Sequence, residues 1–200
     1  MANGTLGLSR LPVKQLRAGG AVVESSRWID QPIYDTETLT VAAATPQQHF
    51  FFTTIGAKSR VDTNMPTDGT LTYPRTFAVQ GIEVAALPTV AGVWPTTPDL
   101  QNIRAFGRME LYKGNTRIYM LPVERLHGPG LEGSLLAGAA TGFINLGSSA
   151  PRDFHRLGFK IALPSDEPFR VEFHLSQLCT IAVAIRIRIW LLGKYTLSVQ

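Results

Sequence analysis

Two hundred residues, 44% of them hydrophobic and 17% charged, are enough to bury a core of their own and exclude whole-chain disorder. Nineteen Lys plus Arg against fifteen Asp plus Glu leave a formal charge of +4, too slight for a dedicated nucleic-acid binder, so direct nucleic-acid contact is not expected. Cys179 is the only cysteine, which excludes an intramolecular disulfide framework and a cysteine-based zinc site.

The opening stretch lacks the apolar run of roughly 7–15 residues that a signal peptide carries, and Arg186 and Arg188 interrupt the most apolar segment. The chain is therefore expected to be made in the cytoplasm, with no membrane partner. Residues 1–20, with Arg10, Lys14 and Arg17 among glycines and a proline, read as an extended arm, either an unstructured tail or an arm that orders on a neighbouring subunit; one jelly-roll domain is expected over 21–200. Strand composition and length follow at 36–43 (Leu39, Val41), 48–55 (Phe50, Phe51, Phe52), 76–87, 103–112 and 116–121. In 76–87 the apolar parity switches from Phe77 and Val79 to Ile82, Val84 and Ala86 around Gly81, the mark of a β-bulge. Lys113, Gly114 and Asn115 read as a hairpin turn between two antiparallel strands. A short helix is conceivable only at 134–142, where two of nine residues are glycine.

Three strands close the chain, at 157–163, 169–175 and 180–191, each alternating apolar with polar residues. In the last, Ile181, Val183, Ile185, Ile187 and Ile189 share one face, and Arg186, Arg188 and Trp190 the other. The proline-bounded link 164–168 suits a tight turn joining antiparallel neighbours. Eight to ten strands, separated by long loops at 57–75, 88–102 and 123–154, predict an all-β antiparallel sandwich, specifically a jelly roll with long loops.

Gly128, Gly130 and Gly133 spell G-x-G-x-x-G, but Pro129 removes a backbone donor, Glu132 adds an anion, and the flanking segments pair as hairpins; a plain glycine loop is the expected reading. His49, His127, His155 and His174 are scattered without metal-ligand spacing, so no metal and no cofactor are expected. Gly-x-Ser-x-Gly is absent, and Asp166 and Glu167 sit adjacent in a turn, where they cannot flank a glycosidic bond. No catalytic set emerges, and the chain reads as not an enzyme. Arg186, Arg188 and Trp190 are instead expected at a subunit interface, pairing with carboxylates across it, where Arg and Trp are enriched. Trp94, in the proline-rich loop 88–98, and the basic Arg10, Lys14 and Arg17 complete the candidate contacts.

A family resemblance runs from residue 50 to 193. It is carried by Asp62-Thr63-Asn64-Met65 through Gly69, Leu71, Pro74 and 77–82, then 119–122 with the 128–133 glycine loop, and the ending 186–193. This order of polar loop, strand, glycine loop and terminal hydrophobic strand resembles small β-rich structural proteins of bacterial viruses. The resemblance implies a virion component of the viral jelly-roll type, made in the host cytoplasm and located in the capsid. Its implied role is a head-decoration (cement) or small coat protein, forming a homo-oligomer, trimer or dimer, and contacting the major capsid protein of the same virion. The opposing expectation is a carbohydrate-binding jelly-roll module of a virion tail or spike, for which Trp94, Trp28 and Tyr73 are the candidate aromatics.

Overall fold

The computed structural model describes residues 15–18, 21–24, 27–41, 46–90, 95–126, 133–134, 143–144 and 155–197, with side chains in 31–41, 46–90, 95–126 and 155–196. The strands are β1 (Gln15–Ala18), β2 (Ala21–Glu24), β3 (Arg27–Asp30), β4 (Ile33–Leu39), β5 (Gln47–Phe51), β6 (Arg75–Pro88), β7 (Gly107–Lys113), β8 (Thr116–Pro122), β9 (Gly133–Ser134), β10 (Phe143–Ile144), β11 (His155–Leu163), β12 (Phe169–Leu175) and β13 (Ile185–Leu197). One α-helix, α1 (Thr97–Phe106), and a 3-10 turn at Val123–Arg125 complete the described elements.

Two antiparallel sheets pack face to face as an all-β sandwich. One runs β11-β6-β13, with β4 and β3 sharing the far edge of β13; the other runs β5-β12-β7-β8. Lys194 faces Asp30 and Leu191 faces Ile33, so β3 and β4 keep one register across residues 31–32. Pro32 has no N–H to give the ladder, which accounts for the break, and each sheet is effectively four strands wide. The pairing is nested: β4 with β13, β5 with β12, β6 with β11, and β7 with β8. As a separate two-stranded sheet, β1 pairs with β2, so the boundary read at residue 20 falls between two paired strands.

Alternation builds the core. Ile185, Ile187, Ile189 and Leu191 of β13 are fully buried between the sheets, as are Val171 and Phe173 of β12 and Met109 and Leu111 of β7. At about 1.5–3 kcal/mol per fully buried aliphatic side chain, the four from β13 contribute roughly 6–12 kcal/mol before entropy, comparable to a whole domain's net stability. The bulge expected near Gly81 is present: Leu192 faces Gly81 but Gly193 faces Val79, leaving Gln80 unmatched. At that point β6 and β13 come so close that a Cβ on Gly193 would lie 2.1 Å from the Ala78 carbonyl oxygen, which only glycine tolerates. The hairpin expected at Lys113–Asn115 is also present, turned by Gly114 at φ 56°.

Several expectations are corrected. The strand read from residue 180 begins at Ile185 and runs to Leu197; Ile181 is buried as an isolated bridge residue, and Val183 is only half-buried. The strand read from 103 begins at Gly107, because residues 97–106 form α1, capped by the Thr96 hydroxyl on the Asp99 amide and primed by Pro98 in its first turn. The link 164–168 does not join sheet neighbours: β11 pairs with β6 and β12 with β5 and β7, so it crosses between sheets. Phe159 is 60% exposed, because residues 157–160 oppose only Gln80 and bulge out of the alternation. Val41 is exposed beyond the end of β4. The short helix read at 134–142 begins at a residue of β9 instead, and 135–142 lie outside the described residues.

Candidate functional site

The face of β13 that carries Arg186, Arg188 and Trp190 is strapped by residues 58–65 of the same chain. Arg186 pairs with Asp62. Arg188 donates from Nε to Thr36 Oγ1 at 2.9 Å and from Nη2 to the Val61 carbonyl at 2.6 Å, and its guanidinium lies 5.2 Å from the Tyr34 ring and 5.5 Å from Trp190. Burial pulls the Arg188 pKa below its ordinary value. Tyr34 fixes the strap from below: its hydroxyl donates to the Arg60 carbonyl, and its amide donates to Asn64 Oδ1 at 2.9 Å. The carboxylate expected for Arg186 across an interface is thus supplied by its own Asp62. Arg10, Lys14 and Trp94 lie outside the described residues; Arg17 faces Val22 in the β1–β2 hairpin, with its side chain outside them. Among the candidate contacts whose side chains are described, the structure brings together Arg186, Arg188 and Trp190.

On the outer face of the second sheet, Glu110 of β7 and Glu172 of β12 stand directly opposite each other, 2% and 5% exposed. Their oxygens and a His174 ring nitrogen lie within 4.8 Å of one another, a spacing within reach of a metal ion. Every carboxylate oxygen is nevertheless taken. Glu110 receives Arg108 at 2.9 Å, Arg117 at 3.3 Å and the Tyr112 hydroxyl at 2.7 Å. Glu172 receives Arg170 at 2.7 Å and the Gln48 amide at 2.9 Å, and His174 Nε2 lies 3.2 Å away without making a hydrogen bond. Burial pushes the Glu110 carboxyl up, but the Tyr112 hydroxyl and the charges of Arg108 and Arg117 outweigh it and hold the pKa below the ordinary value. The group is an ion-pair network that neutralises two facing acids. Arg108 belongs to this network, whereas Arg104 sits in the last turn of α1.

The sandwich's side between β4 and β5 holds a third cluster. Asp35 points inward, fully buried, and accepts from Lys58 Nζ at 2.9 and 2.8 Å and from the Phe52 amide at 2.6 Å. Phe52 has φ 69°, a left-handed conformation that is costly for a bulky residue; held there, Phe51 and Phe52 both enter the core in succession, and Phe52 packs 5.5 Å from the Phe169 ring. Lys58 also donates to Glu37 Oε1 at 2.5 Å. Burial raises the Glu37 pKa despite that bond.

At one end of the sandwich β4 and β6 finish, β13 begins, and the β6–β7 and β12–β13 connections are tied together. The Ser176 amide donates to the Phe106 carbonyl, Asn102 Nδ2 to the Thr180 carbonyl, the Ala182 amide to Asp99 Oδ1 and the Thr89 hydroxyl to the Ala184 carbonyl. On this cross-tied end Val41, Val90, Phe106 and Leu178 are 63%, 62%, 37% and 65% exposed. Sequence reasoning placed Val90 and Leu178 in loops but Val41 and Phe106 in strands, and marked none of them as a contact; apolar side chains just outside strand ends were the available signal. The glycine motif reaches the described residues only at Gly133, which pairs antiparallel with Ile144 as part of a strand rather than opening a helix. Among the described residues no helix is long and apolar enough to cross a membrane. Comparison of the chain with family models, with curated proteins and with solved structures finds no match.

Proposed function

We propose that the protein is a noncatalytic structural component of a bacteriophage capsid, a decoration (cement) or coat protein that acts by self-association and by contact with the major capsid protein. The observation that carries this reading is the cross-tied end: Val90, Phe106 and Leu178 stand exposed on connections that already bond to one another, so little ordering entropy is lost on docking, and Val41 is exposed just past the end of β4. Among the eight strands β4–β8 and β11–β13, the nested pairing of first with last, second with seventh, third with sixth and fourth with fifth supports the viral jelly-roll reading. Arg186 and Arg188 then hold the strap in place, and Trp190 carries the contact role on that face.

Light scattering on the purified chain, with and without Leu178→Asp and Val90→Asp, tests the reading. The parent is expected to form a dimer or trimer and to enter particles when co-expressed with a major capsid protein; the two variants are expected to stay folded, become monomeric and fail to incorporate. A parent that is monomeric at high concentration, with both variants entering particles unchanged, overturns it.

A further inference from the structure

The open side of the sandwich between β4 and β5 carries a groove that the shell reading does not use. Two clefts of about 480 and 410 Å³ share Glu37, Ala57 and Lys58 and so run as one trough across the sheet edge. We propose that this trough binds a neutral oligosaccharide.

The charges that line it are already closed among themselves. Lys58 is committed to the two carboxylates of Asp35 and Glu37, and Arg186 to Asp62, so neither cation of the lining is left to select an anionic ligand. What remains for a ligand is short and polar. The hydroxyls of Thr38, Thr53 and Thr54 make no side-chain hydrogen bond among the described residues and can both donate and accept. Gln48 uses only its amide nitrogen, on Glu172, which leaves its carbonyl oxygen as an acceptor. Beside them Phe50, 43% exposed, stands on the outer face of β5 as an apolar platform at the trough wall. A sugar ring has one face of C–H groups and a rim of hydroxyls, and an aromatic plane beside a row of small donors and acceptors matches both. Glu37 sits where the two clefts join, and burial raises its carboxyl pKa above the ordinary value.

The proposal is independent of the shell reading, because self-association is read by light scattering and ligand binding by a separate measurement. The test is a printed array holding neutral glucose-, galactose- and N-acetylglucosamine-based oligosaccharides together with sialylated and sulfated ones, followed by titration calorimetry with the best neutral probe. Binding to at least one neutral oligosaccharide is expected. Phe50→Ala is expected to weaken it at least tenfold and Thr54→Val severalfold, whereas Phe159→Ala, on the opposite edge of the sandwich, leaves it unchanged. Phe50 and Thr54 are exposed, so both variants keep the parent's thermal midpoint. No binding to any neutral probe, binding confined to the charged glycans, or binding indifferent to Phe50→Ala overturns the proposal.

Discussion

Replacing Lys58 by alanine leaves the fully buried Asp35 without its cation, and with it the more exposed Glu37. Asp35 is fully buried, and the Lys58 side chain is 15% exposed, so the pair sits away from solvent screening. The ammonium reaches both Asp35 oxygens; without it, the carboxylate keeps only the Phe52 amide. Breaking such a pair from one side costs about 3–5 kcal/mol, because the remaining charge stays desolvated. For a domain of this size each kcal/mol moves the thermal midpoint by about 2–4 °C, so a fall of roughly 6–20 °C is expected. Lys113→Ala is the internal control: its bond to Glu167 is also 2.9 Å long, but the two side chains are 31% and 41% exposed, and its loss costs about 0–1 kcal/mol. Urea denaturation of parent, both single variants and the Asp35→Asn/Lys58→Met double variant measures the difference. The double variant removes both charges together and is expected to recover most of the loss. If Lys58→Ala costs no more than Lys113→Ala, Asp35 is not desolvated and the argument for its role in holding Phe52 fails.

Two further outcomes are expected. Gly193→Ala places a methyl 2.1 Å from the Ala78 carbonyl oxygen and 2.9 Å from the Phe77 ring, so β6 and β13 must part at the bulge; a loss of about 1–3 kcal/mol or more in denaturant midpoint is expected, and a neutral result would mean that the bulge relaxes freely. Glu110 has a folded-state pKa below its ordinary value of 4.5, so the stability it contributes is present above that pH and is lost as pH falls through the lower folded value. Glu110→Gln is therefore expected to be less stable at neutral pH and to lose less on acidification; parallel loss by parent and variant in denaturation series across this range would refute the assignment.

The strands and their buried faces were legible because side-chain alternation is a local property of extended backbone. Ile185, Ile187 and Ile189 could be assigned inward, the bulge beside Gly81 read from a parity switch, and the turn at Gly114 read from three residues, each without knowledge of any partner strand. Helix α1 was missed although Thr96, Pro98 and Asp99 spell its start, because only Leu100 and Ile103 among its aliphatic residues are buried and the apolar period is too weak to stand out. The rest depended on tertiary structure. The link 164–168 looks the same whether it turns back within a sheet or crosses to the other, and the choice is made by what β11 and β12 pair with. Glu110 meets Glu172, Lys58 meets Asp35, and Arg186 meets Asp62 only because strand register and the path of one loop bring together residues far apart in the chain. Whether a side chain faces in or out follows from the two-residue repeat of the backbone around it; which charge it meets is decided by non-local pairing, which local pattern does not encode.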